Sequence, residues 1–138
     1  MKDSLITVRT TIKAHVSLVW KTWTSPADIM NWNTASDNWH TTSAENDFRP
    51  NAKFSYRMEA KDGSFGFDFF GTYDKIIINR EIALTLGDGR KVKIVFSDLG
   101  NKTEIVETFE AESTNSVEQQ KTGWQSILDN FRKYIESK

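Results

Sequence analysis

The sequence predicts an α+β domain: a curved antiparallel sheet of about six to seven strands wrapped around a long C-terminal helix, with two short helices after the first strand. Three observations carry this. Apolar residues alternate in strand-length runs between Thr34 and Ala111, Gly, Asn and Asp clusters punctuate those runs, and the C-terminal segment bears an apolar stripe at helical spacing. At 138 residues the chain suits one domain, 1–138, with no linker or repeat. A domain of this length buries roughly two thirds of its unfolded surface.

From Leu5 to Lys13 the sparse β-branched residues Ile6, Val8 and Ile12 read as a strand. Val16, Val19, Trp20 and Trp23 then fall at i, i+3, i+4 and i+7, which is a helix, with Ser17 near its start and His15 in the loop before it. Ser25 caps a second short helix, Pro26 takes its first position, and Ile29, Met30 and Trp32 form its apolar side. Trp20, Trp23, Trp32 and Trp39 thus place four of the five tryptophans in one short stretch.

Turn chemistry sets the strand registers. Asp62-Gly63, read as a two-residue turn with positive φ at both positions, pairs Met58 with Phe67, Tyr56 with Phe69 and Phe54 with Gly71. The opposite face then carries Ser55, Arg57, Glu59, Gly66 and Asp68, the alternation of a sheet with one solvated side. A three-residue loop Asp88-Gly89-Arg90 pairs Leu86 with Val92, Leu84 with Ile94 and Ile82 with Phe96. The apolar phase slips between Tyr73 and Ile76, which predicts a bulge near Asp74-Lys75. A two-residue loop at Gly100-Asn101 pairs Ile105 with Phe96, Glu107 with Ile94 and Phe109 with Val92, and the Asn101-Lys102-Thr103 sequon reads as turn residues. Ser116 with Gln119 forms a capping box, and Trp124, Ile127, Leu128, Phe131 and Ile135 make the stripe of a helix running nearly to Lys138.

Composition excludes several classes of chemistry. Without cysteine there are no disulfides, thiol nucleophiles or zinc ribbons, and with only His15 and His40 one chain cannot build a three-histidine metal site. A net charge of -1 from interspersed acids and bases leaves no footprint for nucleic acid or an anionic membrane. Met1 to Val8 lacks a signal pattern, and no apolar run approaches the roughly 20 residues of a membrane span. The expectation is a cytoplasmic protein with no nucleic-acid partner, no membrane and no cofactor.

Candidate site residues follow from the faces. Phe54, Tyr56, Phe65, Phe67, Phe69 and Tyr73 on the sheet, opposite Trp124 and Phe131 on the helix, are either a packed core or the wall of a pocket. Gly123 suggests a close approach of the helix to the sheet, since Gly within a helix costs roughly 1 kcal/mol relative to Ala. Glu107 is either an inward carboxylate, needing a partner or a proton, or a solvated one in a register shifted by one. His40, beside Trp39, either meets a ligand from the cavity mouth or is an ordinary hydrogen-bonding residue. Asp47, Arg49, Arg57 and Asp68 read as solvated pairs worth tenths of a kcal/mol.

The stretches Val19-Trp20-Lys21-Thr22-Trp23-Thr24-Ser25-Pro26, Trp32-Asn33, Tyr56 to Ser64, Gly71-Thr72-Tyr73, Asp88-Gly89-Arg90 and Gly123 to Phe131 give the chain a resemblance to a known family. In their order and spacing they resemble the START-like, helix-grip (Bet v 1-like) domains of the SRPBCC superfamily. Within these they are similar to proteins related to the activator of heat-shock-protein-90 ATPase. The resemblance spans essentially the whole chain, with one departure: Asn51-Ala52 stands where relatives usually have Gly-Gly.

The resemblance implies a cavity between sheet and C-terminal helix that takes hydrophobic small molecules in many relatives. Trp39, His40, Phe54, Tyr56, Phe67, Phe69, Tyr73, Glu107, Trp124 and Phe131 are the residues expected to meet such a ligand. It does not imply one reaction, because lipid carriers, hormone receptors, cyclases and chaperone regulators share the fold. With no complete catalytic constellation in the sequence, a binder of a hydrophobic or aromatic small molecule is favoured over an enzyme. The alternatives are a cyclase- or hydrolase-like enzyme using Glu107 with His40 or a tyrosine, and a stress-related regulator of the chaperone's ATPase. The activator that names the family carries a further N-terminal domain for its chaperone, which ranks chaperone contact below ligand binding.

Overall fold

The computed structural model describes residues 5–137. The expected domain of 1–138, the signal reading of Met1 to Val8 and the helix end near Lys138 therefore extend in part outside the described residues. The order is β1 (Leu5–Ile12), α1 (Val16–Thr24), α2 (Pro26–Trp32), β2 (Trp39–Asn46), β3 (Lys53–Ala60), β4 (Gly66–Ile77), β5 (Glu81–Leu86), β6 (Lys91–Asp98), β7 (Thr103–Glu110) and α3 (Val117–Glu136). The strands form one seven-stranded antiparallel sheet in the order β1-β7-β6-β5-β4-β3-β2, so the first two strands are its edges. Register shifts between Thr41 and Ser43 and between Tyr73 and Lys75, the latter at the expected bulge, help curl the sheet.

The concave face holds the core. Ile6, Val8, Ile12, Ile82, Leu84, Val92, Ile94, Phe96, Ile105 and Phe109 face inward from the strands, and Leu128, Phe131 and Ile135 meet them from α3. Polar ties fix where α3 lies. Gln125 Nε2 donates to the Arg9 carbonyl at 3.0 Å, Asn130 Nδ2 to the Trp32 carbonyl at 2.8 Å, and the Tyr134 hydroxyl to Asp28 Oδ1 at 2.6 Å. The capping box forms as expected, with the Gln119 N–H donating to Ser116 Oγ at 3.1 Å and the Ser116 N–H to Gln119 Oε1 at 3.2 Å.

Four local expectations need correction. The β3–β4 register is as read, but the turn is a four-residue loop, 61–64, closed by the Ala60 N–H donating to the Phe65 carbonyl at 2.9 Å. Only Gly63 takes positive φ there, at 77°. The β5–β6 loop is Gly87-Asp88-Gly89 rather than Asp88–Arg90, because the Leu86 N–H donates to the Arg90 carbonyl at 2.8 Å and Gly89 takes φ 93°. Leu84 therefore pairs with Val92 and Ile82 with Ile94, a slip of two residues that leaves every side chain on its expected face. His15, expected only as a loop residue before α1, is its N-cap, with Nδ1 accepting the Ser17 N–H at 3.2 Å. Gly123 makes no close approach, since a Cβ there would meet nothing within 4 Å.

The departure at Asn51 has a simple physical reading. Its φ of 72° is the left-handed conformation that Gly adopts freely and Asn tolerates, so the turn survives the replacement. Its N–H donates to the Tyr73 carbonyl at 2.7 Å.

Candidate functional site

Curling the sheet around α3 without filling the hollow with side chains leaves a cavity of about 270 Å³ between them. Its wall draws on the sheet through Phe54, Tyr56, Met58, Phe67, Phe69, Leu84, Arg90, Val92, Ile94 and Glu107. The helices add Trp23, Trp32, Trp124 and Ile127, together with Asn33 at the end of α2. The volume lies just under the roughly 300–1,000 Å³ of drug-sized pockets, which suits a small, compact ligand.

The aromatic wall is held by ring contacts. Trp124 stacks on Phe109 at 3.8 Å between centroids with 13° between planes, and lies edge-on to Phe69 at 6.2 Å. Trp23 and Trp32 approach each other at 4.7 Å, and both meet Phe131 edge-on, at 4.9 and 4.8 Å. The Trp32 indole N–H donates to the Thr22 carbonyl at 3.1 Å, which satisfies its polar atom and fixes its plane. Asn33 Nδ2 donates to Thr41 Oγ1 at 3.3 Å, tying α2 to the first strand after it.

Glu107 is the exception in this wall. Strand alternation on β7 turns it inward between Ile105 and Phe109, opposite Ile94 on β6 and Val8 on β1. The residue is 8% exposed, and among the described residues no hydrogen bond or ion pair reaches its carboxyl. Burial alone pushes it up to about 8 from its ordinary 4.5, so at neutral pH it is mostly a neutral acid. Tyr56 behaves similarly. Burial first, and then neighbouring Tyr73, lifts its hydroxyl well above the ordinary phenol range and keeps it protonated. Arg90 lines the wall with its charge engaged, Nε on Asp88 Oδ2 at 2.8 Å and Nη1 on the Glu110 carbonyl at 3.4 Å.

Of the residues expected to meet a ligand, the fold brings Phe54, Tyr56, Phe67, Phe69, Glu107 and Trp124 together on the wall. Tyr73 and Phe131 lie behind it. Tyr73 is buried against Phe48 and Phe54, and its hydroxyl accepts a 3.5 Å hydrogen bond from Asn46 Nδ2, while Phe131 backs the two tryptophans. Trp39 stands at the rim, edge-on to Phe67 at 5.9 Å. Phe65, at the hairpin tip, is 62% exposed and touches only that rim cluster among the ring contacts. His40 is placed elsewhere: it is exposed and opposite Glu59 on the outer face, because alternation along β2 sends Trp39 and Thr41 inward and the residue between them out. The pair Glu107 with His40 is therefore not formed.

Sequence reasoning missed Trp23, Trp32, Asn33, Met58, Leu84, Arg90, Val92, Ile94 and Ile127 as wall residues. The tryptophan cluster was the available signal for the first two. Met58, Leu84, Val92, Ile94 and Ile127 are ordinary inward apolar positions, Asn33 ends α2 and Arg90 closes the β5–β6 hairpin, and nothing local marks any of them as wall. On the outer face, Arg57 bridges Glu59 at 3.0 Å and Asp68 at 3.5 Å, and in the β2–β3 loop Arg49 pairs with Asp47 at 2.8 Å. These exposed pairs contribute little. No group of metal-ligating side chains occurs among the described residues, and no helix among them is long and apolar enough to cross a membrane.

A curled antiparallel sheet gripping a C-terminal helix, two short helices after the first strand and an aromatic cavity under the helix define a helix-grip domain. Residues 13–136 match the family model described as "Activator of Hsp90 ATPase homolog 1-like protein", and the chain belongs to that family. It is similar to the AHSA1-like protein from Aeromonas hydrophila, whose solution structure superposes with a TM-score of 0.91 at 39% identity, over 97% of this chain and 93% of that one. A protein from Cytophaga hutchinsonii is 49% identical over 96% of this chain and 92% of its own, with a TM-score of 0.83. One from Nitrosomonas europaea shares the fold at 15% identity, with a TM-score of 0.79 over 96% of this chain and 94% of its own. Among curated proteins nothing matches.

Proposed function

We propose that the protein binds a small hydrophobic or aromatic molecule in the cavity between its sheet and α3. The observation that carries this reading is the cavity itself, about 270 Å³ walled by seven aromatic rings, with one carboxyl among them. A core evolved only for packing closes such space, because each void forfeits dispersion contacts and destabilises the fold. Aromatic walls with few polar groups are the usual make-up of small-molecule sites. The volume favours one- or two-ring compounds over sterols.

Supporting a binder over an enzyme, Glu107 lacks the His40 partner that acid–base chemistry was expected to use, and Tyr56 is the one tyrosine on the wall. A thermal-shift screen of one- and two-ring aromatic compounds tests the proposal. A ligand at a hundredfold excess over its dissociation constant stabilises by about 2.7 kcal/mol, which for a domain of this size raises Tm by roughly 8 °C. No shift across such a library would refute it.

A further inference from the structure

Glu107 is the one carboxyl on the cavity wall. It is 92% buried by exposure (8% exposed) and aimed at the cavity, yet among the described residues nothing donates to it. Folding has taken most of its surface out of solvent, so a ligand that supplies a donor provides an interaction the protein alone does not make. Its partners across the sheet, Val8 on β1 and Ile94 on β6, are uncharged, as are the helix residues that share the cavity wall with it, Trp23, Trp32, Trp124 and Ile127. The other ionisable groups on the wall are Tyr56, which stays neutral, and Arg90, which is held by Asp88 and the Glu110 carbonyl.

Resting on the ligand-binding reading above, we infer that the cavity takes an arylalkylamine, an aromatic ring bearing an aliphatic ammonium group, its ring among the tryptophans and Tyr56 and its nitrogen on Glu107. Two features select an amine over an acid or a neutral ring. The carboxyl can become the counter-ion of an ammonium group, and the surrounding ring faces attract a cation rather than repel it. A ligand carboxylate would find no free cation, since Arg90 is engaged. The proton balance is definite. At pH 7 the amine enters as R–NH₃⁺ and Glu107 is mostly protonated, so formation of the ion pair releases the Glu107 proton to solvent.

The probes are tryptamine, indole and indole-3-acetate, which share one ring system and differ in charge. Titration calorimetry should give tryptamine at least tenfold tighter binding than indole, with indole-3-acetate weakest. Repeating the tryptamine titration in buffers of different ionisation enthalpy should show release of nearly one proton at pH 7, fading as the pH passes 8. Glu107→Gln should reduce the preference for tryptamine over indole to about twofold or less. The proton count uses the unaltered protein and so stands even if that variant folds poorly. Equal binding of indole and tryptamine, tighter binding of indole-3-acetate, or no proton release would overturn the amine assignment while leaving the cavity a ligand site. Failure of all the probes, with no shift from any other one- or two-ring aromatic, would overturn both.

Discussion

Glu107 carries the clearest consequence of a single side chain's placement. The two-residue loop Gly100-Asn101 fixes the β6–β7 register, with Gly100 at φ 86°, and that register puts a carboxyl opposite Ile94 on the inner face. Its position was legible because loop length and alternation determine it, and the shifted register is ruled out. Its lack of a partner was not legible, since that depends on what α1, α2 and α3 bring to the same space. The folded group titrates near 8 and the unfolded one near 4.5. The folded state therefore holds the proton more tightly, and its contribution to stability is complete below pH 4.5 and lost as pH rises toward 8. Relative to Glu107→Gln, the unaltered protein should lose on the order of 4 kcal/mol between pH 4.5 and 8 and change little above that. Urea unfolding of both proteins across this range checks it, and parallel curves would mean that the carboxyl is solvated.

At the scale of elements, α3 was read correctly from its capping box and stripe, but the stripe does two different jobs. Phe131 is fully enclosed by Trp23, Trp32 and its neighbours, whereas Trp124 packs one face on Phe109 and turns another side to the cavity. Periodicity assigns both to one face and cannot tell them apart. Phe131→Ala should cost about 4–5 kcal/mol in urea unfolding, and Trp124→Ala only about 2–3 kcal/mol, because part of its surroundings is already empty. Equal losses would mean that the hollow collapses around Trp124. The β5–β6 hairpin teaches a related point. Its register slipped by two, since Gly87 and Gly89 both offered loop positions, yet the inward face was right because alternation repeats every two residues. Arg90 was the casualty, placed in the loop when it closes the hairpin and lines the wall.

For the whole molecule, the order strand, two helices, six strands and a long helix was readable from periodicity and turn residues. The cavity was not, because a void is defined by side chains from distant elements failing to meet. The aromatic face left core and pocket wall both open, the resemblance favoured a cavity, and six of the ten residues expected to meet a ligand line it. His40 shows the limit: its neighbour in sequence reaches the rim, and it faces solvent on the other side of the sheet. Binding in this void is most directly tested by an amide and indole NMR titration with a one- or two-ring aromatic such as indole. Three of the five tryptophans, Trp23, Trp32 and Trp124, line the cavity, so their side-chain N–H signals report on it individually. The account predicts saturable shifts of those signals and of the Val92, Ile94 and Glu107 amides, with His40 and the exposed Phe70, opposite Ser55 on the outer face, unmoved. Perturbations confined to the outer face, or none that saturate, would contradict it.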